Sequence, residues 1–286
     1  MTQRTTTVKP RSELPDPQTI RRIIRLFKPA MWVTDPLVLD IGRIPSHGPL
    51  LFVGNHTLYG IFDIWALWIT LFEKRDIWLR GLGDHIHFKI PVWGDALTAV
   101  GGVDGTRTNC AALLRMGESV LVFPGGAREV SKRKGEKYQL IWKERLGFAR
   151  MAIEHQATVV PFSAVGVEDA LDIVADAGEL LDSGLGPLLR RIGVREDALL
   201  PVVRGIGRTP LPRPERLYFQ IGQPISTVPY AGLQDQEQIC RALRDQVRTS
   251  VEQGITELRQ LQARDPERTL DARLRRHKPA RRSRTP

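Results

Sequence analysis

The chain has 286 residues and a formal net charge of +10, and it is long enough to bury a core without disulfides or metals. Residues 1–32 carry a net charge of +5 and residues 264–286 one of +6, so the residues between them are almost neutral. A neutral body without a recognisable nucleic-acid module excludes nucleic acid as the expected main partner. We therefore expect a basic N-terminal segment (1–32), a central domain (33–263) and a basic tail (264–286).

The two ends and the cysteines indicate a cytoplasmic protein. The beginning of the chain is polar, and the longest apolar run, 61–72, is too short to span a bilayer. Cys110 and Cys240 fall in predicted helices, as expected of reduced thiols. The tail, 264–286, lacks apolar periodicity and is expected to be disordered. It either stays in solvent or contacts anionic lipid or nucleic acid.

A basic amphipathic helix is predicted near the N-terminus. Asp16 suits the N-cap and Pro17 the first helical position. Apolar residues then recur at helical spacing, with basic residues beside them: Ile20, Ile23, Ile24, Phe27 and Met31, and Arg21, Arg22, Arg25 and Lys28. Such a helix either packs on the body with its charges in water or lies in a bilayer interface. Peripheral contact with the cytoplasmic face of an anionic membrane is the favoured interpretation.

The first strand of interest ends at a histidine. Leu50 to Val53 form a short apolar strand bounded by Gly54, and His56 follows it, before the apolar run that begins at Ile64. In an open α/β sheet, the carboxyl end of a strand faces the crevice where ligands bind. His56 is therefore either a packing or capping residue or a functional group of that crevice.

The next stretch is predicted to add two strands, at 76–80 and at 97–103. Between them, 84–88 either lines the cleft or opens a helix. His85 and His87 have no third ligand at metal spacing, so no metal site is expected.

The strand predicted at 97–103 ends in a glycine-rich segment, and a helix follows it. The glycines of 101–105 allow the backbone to approach a ligand, and Arg107 could offer it a charged fork. Thr108 or Asn109 is expected to cap the helix that runs to Arg115.

A further strand, 119–123, repeats the layout of strand, tight turn and helix start. Gly125 and Gly126 form the turn, and Arg128 and Glu129 stand at the helix start, where backbone N–H groups point into the crevice. The GxxxxGK[ST] spacing of a phosphate-binding loop is absent. Two strand ends with polar groups imply one shared cleft.

The second half of the chain completes an α/β pattern. A strand at 158–164 contains Pro161, which argues for an edge position, a bulge or a shifted start. The last strand is expected at 216–221, and a closing helix with one apolar face from Asp235. Strands and helices alternate, which predicts a single mixed, mostly parallel sheet flanked by helices, with the basic amphipathic helix before it.

Two stretches lie outside this predicted sheet. The basic run 132–137 is expected to be a solvated surface or a headgroup-facing patch. The loop-rich, proline-punctuated stretch 165–213 is expected to leave the sheet, as a lid or as a wall for an acyl chain.

Five blocks carry a family resemblance: FVGNHTLYGIFD, RGLGDHIHFKIP, GGVDGTR, VFPGGAREVSKRKGEKYQLIWKERLGFARMAI and VVPFSAVGVEDA. In order and spacing they resemble the lysophospholipid acyltransferase superfamily, and within it the monoacylglycerol/diacylglycerol acyltransferase-like and phytyl ester synthase-like branch. The resemblance covers about residues 38–225. Its most specific part is FPGGARE followed by KGEKYxLxW.

In that superfamily, a histidine and an acid in an NHxxxxD motif catalyse acyl transfer from a thioester to a hydroxyl. The resemblance implies that His56 is the base and Asp63 its acidic partner. Here the acid follows the histidine by seven residues instead of five, a separation of about 10.5 Å in an unbroken helix. Direct contact therefore needs an irregular turn, which Gly60 permits. Otherwise Glu129 or Asp84 is the better partner.

The third block also departs from the family pattern. Enzymes with phosphate-bearing acceptors read FPEGTR, whereas this chain has Gly125 at the glutamate position. The resemblance therefore implies an O-acyltransferase that moves an acyl group from acyl-CoA or acyl-carrier protein directly to a lipid hydroxyl. A mono- or diacylglycerol or a fatty alcohol is favoured over a lysophospholipid. No cofactor is expected beyond the acyl thioester, and no oligomeric state is predicted.

The same cleft supplies the remaining site candidates. Backbone N–H groups of Gly125 and Gly126 are expected to stabilise the oxyanion. The substrate-binding candidates are Asn55, Arg107, Phe123, Pro124 and Arg128. A hydrolase of the same acyl substrates and a catalytically inactive membrane-binding protein remain the alternatives, although no G-x-S-x-G elbow supports a serine esterase.

Overall fold

The computed structural model describes residues 15–184, 186–191 and 196–276. Its strands are β1 (Leu37–Leu39), β2 (Leu50–Gly54), β3 (Arg80–Gly83), β4 (Val103–Asp104), β5 (Ser119–Val122), β6 (Thr158–Val165), β7 (Asp172–Ala175), β8 (Val202–Arg204) and β9 (Tyr218–Ile221). Its α-helices are α1 (Pro17–Thr34), α2 (Ile64–Arg75), α3 (His85–Lys89), α4 (Trp93–Ala99), α5 (Arg107–Arg115), α6 (Ala127–Val130), α7 (Gly147–Glu154), α8 (Val167–Ala170), α9 (Ala177–Asp182), α10 (Gly186–Arg191), α11 (Glu237–Arg264) and α12 (Leu270–Arg276). Short 3₁₀ helices lie at Ile41–Arg43, Glu196–Ala198 and Val228–Tyr230.

Seven of these described strands form one sheet in the order β1-β9-β6-β2-β5-β3-β4. The five strands from β6 to β4 run parallel. Strand β9 is antiparallel to β6 and parallel to β1, so these two reverse the direction. The predicted mixed, mostly parallel sheet is confirmed.

The middle of the sheet is buried on both faces. All five residues of β2 are buried, because it lies between β5 and β6. Leu51 and Val53 join the apolar core that includes buried residues of α5, α7 and α11, whereas Leu50 and Phe52 join the core that includes those of α2. Helices therefore flank both faces, and the carboxyl ends of β5, β2 and β6 lie side by side.

Of the three alternatives for Pro161, the edge position is wrong, because β6 lies inside the sheet. Val159 exchanges two backbone hydrogen bonds with Ile225, and Gly222 donates to the carbonyl of Pro161 at 2.8 Å. The ladder to β9 resumes only at Phe162. The missing N–H of Pro161 therefore faces an interruption of the ladder, where no partner strand requires it.

Two predicted strands are displaced. Residues 97–99 belong to α4, and the strand itself consists of Val103 and Asp104 only. The strand expected at 76–80 starts at Arg80, because Asp76 ends α2 in the left-handed region, at φ 53°. Thr106, rather than Thr108 or Asn109, caps α5. Val165 still belongs to β6, and the described residues between 166 and 213 lie outside the main sheet and contain the small β7–β8 sheet.

The N-terminal helix forms as predicted, with Asp16 accepting hydrogen bonds from the first turn. It packs on the body through Phe27, whose ring stacks on Trp65 at 5.2 Å. No helix in the described part of the chain is both long and apolar enough to cross a bilayer.

The chain stays packed on the body beyond residue 263, where the central domain was predicted to end. Asp265 accepts a hydrogen bond from Tyr218 at 2.7 Å and pairs with Arg216 at 3.1 Å. Arg273, in α12, is buried. The expected disorder does not hold through residue 276, because these contacts fasten the segment to β9; the rest of the predicted tail, 277–286, lies outside the described residues.

Candidate active site

His56 lies in the turn after β2, at the edge of the sheet where β5 also ends. Its ring stacks on Phe123, with the centroids 3.9 Å apart and the planes inclined by 6°. Its backbone N–H donates to Oε2 of Glu129 at 3.1 Å. Because β2 and β5 are hydrogen-bonded neighbours, the two strand ends that the sequence assigned to one cleft meet there.

The chain after His56 is an irregular turn and not a helix. Tyr59 and Gly60 both have φ of 64°, and the N–H of Tyr59 donates to the carbonyl of Val130 at 3.0 Å. A Cβ at Gly60 would lie 2.3 Å from Cε1 of His56 and 2.6 Å from Cγ1 of Val130. Gly60 therefore supplies both the left-handed backbone and the space that the imidazole occupies.

The His56 ring is largely enclosed, and one of its nitrogens is unpaired. Nδ1 is buried and has no hydrogen-bond partner, whereas the side chain as a whole keeps some exposure. Burial lowers the pKa of His56 to about 3, and the charges of Lys132 and His87 lower it further. The imidazole is therefore neutral near pH 7, and its protonated form needs a nearby negative charge to be stable.

Asp63 is buried but does not contact the imidazole. No hydrogen bond or ion pair joins it to His56, although both are described, and its Oδ1 has no partner. Burial raises the pKa of Asp63 to about 6, and the nearby Thr57 side chain opposes this rise. The Thr57 hydroxyl itself makes no hydrogen bond of good geometry. The irregular turn permitted by Gly60 is present, but the direct contact expected from it is not made.

Glu129 contacts the backbone of His56 and not its ring. Oε2 accepts from the N–H of His56, and Oε1 accepts from the N–H of Ile141, both at 3.1 Å. A Cβ at Gly125 would lie 2.2 Å from Cγ and Cδ of Glu129. The Glu129 carboxyl group therefore fills the space into which a side chain at position 125 would project. Burial raises its pKa to about 7, which the charge of Lys132 opposes.

The two glycines of the turn after β5 differ in what their N–H groups do. Gly126 donates to the carbonyl of Phe123 at 3.0 Å, which closes the turn. Gly125 donates to no described atom. The carbonyl of Pro124 accepts from Arg145 at 2.8 Å. Of the two expected oxyanion donors, the N–H of Gly126 is already used because the turn requires it, and that of Gly125 is available.

Asn55 has a structural position. Its Nδ2 donates to the carbonyl of Ala164 at 2.9 Å, and its Oδ1 accepts from the N–H of the same residue at 2.8 Å. The side chain thus continues the β2–β6 ladder by one more pair of hydrogen bonds. The backbone of Ala164 thus uses one N–H and one oxygen lone pair of the amide, and the expected substrate-binding role stays a prediction.

Neither candidate arginine makes a hydrogen bond or ion pair with a described atom of His56. Arg128 pairs with Glu136 and donates to the carbonyl of Ser131 at 3.3 Å. Arg107 is exposed at the start of α5 and lines a depression with Met151 of α7. Their expected substrate-binding roles stay predictions.

Helix α3 begins directly after Asp84, one of the alternative acids considered for His56. Asp84 accepts from the N–H of Ile86 at 3.1 Å and pairs with His85 at 3.0 Å, so it caps the helix and is not a partner of His56. Within the described ranges, no group of three or more His, Cys, Asp or Glu side chains could hold a metal ion.

One pair of site residues was missed by the sequence analysis. Lys132 was assigned to a surface run, but it is buried and pairs with the buried Glu168 at 2.5 Å. The other oxygen of Glu168 accepts from the N–H of Tyr138. Both residues border a cavity of about 230 Å³ that also contacts Leu58 of the His56 turn. The available signal was their presence in two of the family-like blocks.

Comparisons with known proteins place this site in a family. A family model described as Acyltransferase matches residues 38–165. Phytyl ester synthase 2, chloroplastic, of Arabidopsis thaliana is 33% identical over 267 residues, which are 83% of this chain but 36% of that protein. The human DGAT1/2-independent enzyme synthesizing storage lipids is 30% identical over 127 residues, which are 44% of this chain and 39% of that protein. The chain thus spans well under half the length of these relatives.

The fold has a solved counterpart. The 1-acyl-sn-glycerophosphate acyltransferase PlsC of Thermotoga maritima aligns with a TM-score of 0.52 over 85% of this chain and 80% of that one, at 16% identity. At this identity the likeness concerns the fold. The motif blocks, the family model and the relatives together show that the chain belongs to the lysophospholipid acyltransferase superfamily.

Proposed function

We propose that the protein is an O-acyltransferase that moves a fatty acyl group from a thioester to a lipid hydroxyl, with His56 as the general base. The observation that carries the proposal is the placement of the imidazole. It stacks on Phe123 at the shared ends of β2 and β5, and the unengaged N–H of Gly125 lies in the adjoining turn. A base and an oxyanion donor are the two groups that acyl transfer to an alcohol requires.

The reaction proceeds in two steps in this proposal. Nε2 of His56 takes the proton of the acceptor hydroxyl while the oxygen attacks the thioester carbonyl. The N–H of Gly125 donates to the resulting oxyanion. The tetrahedral intermediate then collapses, the C–S bond breaks, and the imidazolium returns its proton to the thiolate. No acyl-enzyme forms, because no serine or cysteine stands beside His56.

The transient imidazolium needs a neighbouring negative charge. Asp63 and Glu129 are buried, and their pKa values of about 6 and about 7 make both substantially ionised above neutrality. They stabilise the imidazolium through the low-dielectric interior and not by direct contact with the ring. Activity is therefore expected to rise with pH through this range.

An uncharged lipid alcohol is the acceptor that fits this turn. Position 125 carries no side chain, and Arg128 is already paired with Glu136. A mono- or diacylglycerol or a fatty alcohol is proposed ahead of a phosphate-bearing acceptor. The names of the two relatives, a phytyl ester synthase and a storage-lipid enzyme, support acceptors of this kind.

Product analysis tests the proposal. Purified protein is incubated with radiolabelled acyl-CoA or acyl-carrier protein, with and without a panel of lipid alcohols, and the lipids are separated. A labelled ester that appears only with an alcohol supports the transferase. Labelled free fatty acid as the sole product would identify a hydrolase, and no product with any donor would refute the activity.

Helix α1 is proposed to contact an anionic membrane surface at the cytoplasmic face. Its basic residues are exposed and form no ion pair with any described residue: Arg21, Arg22, Arg25 and Lys28. Leu26 and Trp32 on the same helix are 76% and 61% exposed. Vesicle flotation of a Leu26→Ser/Trp32→Ser variant should show about tenfold weaker binding, whereas Val228→Ser, another exposed apolar site, should bind as the parent does. Equal binding of all three would refute this contact.

A further inference from the structure

Five ionisable side chains belong to the His56 turn or interact with it electrostatically, more than a single general base requires. Four of them are buried: Asp63, Glu129, Lys132 and Glu168. The fifth, His87, belongs to α3. The mechanism above uses Asp63 and Glu129 as negative charges but gives no role to the Lys132–Glu168 ion pair.

Stability alone is a weak explanation for this pair. Both side chains are only 2% exposed, and removing two charges from water costs about as much as their attraction returns. A buried pair of apolar residues would hold the fold at least as well. The position of the ion pair is therefore more informative than its strength.

The pair connects the segments that carry the site. Lys132 lies two residues after Val130, whose carbonyl accepts the N–H of Tyr59 in the His56 turn. Glu168 follows β6 and also accepts the N–H of Tyr138. The ion pair thus joins the segment after β5 to the segment after β6, on either side of the turn that follows β2.

We propose that the Lys132–Glu168 ion pair is a positioning element of the acyl-transfer site, which fastens the His56 turn between its neighbours and brings one positive and one negative charge near the buried carboxyl groups of Asp63 and Glu129. The inference rests on the proposed function for its catalytic meaning. Its electrostatic part does not, because the carboxyl groups ionise whether or not a substrate is bound.

The two members of the pair act in opposite directions. The positive charge of Lys132 lowers the pKa values of His56 and Glu129. The negative charge of Glu168 raises the pKa values of Asp63 and Glu129. Removing one charge at a time should therefore move the rising limb of the pH–rate profile in opposite directions, which the loss of a merely structural contact would not do.

The test compares Lys132→Met, Glu168→Gln, Lys132→Arg and the double variant Lys132→Met/Glu168→Met. Lys143→Met is the matched control, because Lys143 is exposed and pairs with the partly buried Asp197 at 3.8 Å. For each variant, kcat is measured between pH 5 and 9. The limb is expected to shift up by about one pH unit in Lys132→Met and down by about one in Glu168→Gln. It should stay in place in Lys132→Arg, in the double variant and in the control.

A substrate-free measurement separates this proposal from the proposed function. The free energy of unfolding in denaturant, measured over the same pH range, should show the ionisation of Glu129 displaced in the same two directions. If Lys132→Met does not fold, Glu168→Gln and the double variant still decide the question. Equal losses of kcat at every pH, a shift of Lys132→Met and Glu168→Gln in the same direction, or an unshifted limb in Glu168→Gln would overturn the proposal. Displaced ionisation without any acyl transfer would overturn the proposed function alone.

Discussion

Replacing Gly60 by alanine should disable the site at small cost to the fold. The new Cβ would lie 2.3 Å from Cε1 and 2.7 Å from Nε2 of His56, whereas ordinary carbon contacts need about 3.5 Å. To make room for the new methyl group, the imidazole must therefore shift by about 1 Å relative to Phe123 or tilt away from the turn. A displacement of about 1 Å in a reacting group can lower the rate by about 10²-fold.

The backbone part of the effect can be measured separately. Gly60 has φ of 64°, so alanine there also introduces left-handed strain of about 1 kcal/mol. Gly232 has φ of 81°, and a Cβ added there would meet no atom within 4 Å, so Gly232→Ala carries the strain without the contact. Both variants should lose about 1 kcal/mol of unfolding free energy, with a somewhat larger loss for Gly60→Ala.

The assay is the rate of ester formation under single-turnover conditions, normalised to folded protein. Gly60→Ala should react about 10²-fold more slowly than the parent, and Gly232→Ala at the parental rate. If Gly60→Ala is as active as Gly232→Ala, the position of the imidazole does not govern the reaction, and the reasoning from its geometry fails.

Three further results are expected. Burial raises the pKa of Asp63 from 3.8 to about 6, so its share of stability is complete below pH 3.8 and is lost as the pH rises through 6. Asp63→Asn should therefore gain about 3 kcal/mol of unfolding free energy relative to the parent between pH 3.5 and pH 7.5, and parallel curves would contradict this. Asn55→Ala leaves a buried N–H and carbonyl unpaired, which should cost about 3 kcal/mol in denaturant unfolding; a loss below 1 kcal/mol would refute the ladder role. Phe123→Leu removes the ring that stacks on His56 and should lower kcat by up to about tenfold, whereas a change in KM alone would indicate a substrate-binding role.

Local patterns were sufficient where the chain determines its own structure. The start of α1 was predictable because Asp16 and Pro17 meet the needs of a helix terminus within a few residues. The strand before His56 was predictable because a short apolar run bounded by glycine is typical of a buried strand. Since parallel strands deliver their carboxyl ends to one edge, the meeting of His56 and Phe123 followed from the predicted sheet.

The features that could not be predicted depend on partners distant in sequence. Pro161 lies in an interior strand because the opposing ladder is interrupted at Gly222. Asn55 was expected to bind substrate, but its amide matches the backbone of Ala164. Lys132 looked like a surface residue because its counter-charge comes from Glu168, beyond a further strand. No local sequence pattern predicts which polar side chains will pair with each other in the interior.

The central claim is that the imidazole of His56 removes the proton of the acceptor hydroxyl, and replacing it with an amide of similar size is the most direct measurement. His56→Gln is compared with the parent in single-turnover acyl transfer from a labelled acyl thioester to a lipid alcohol, after equal unfolding free energies have been established. The account predicts a rate lower by about 10² to 10⁴-fold with unchanged binding of the thioester. Ester formation within about threefold of the parental rate, a barrier change below about 1 kcal/mol, would contradict it.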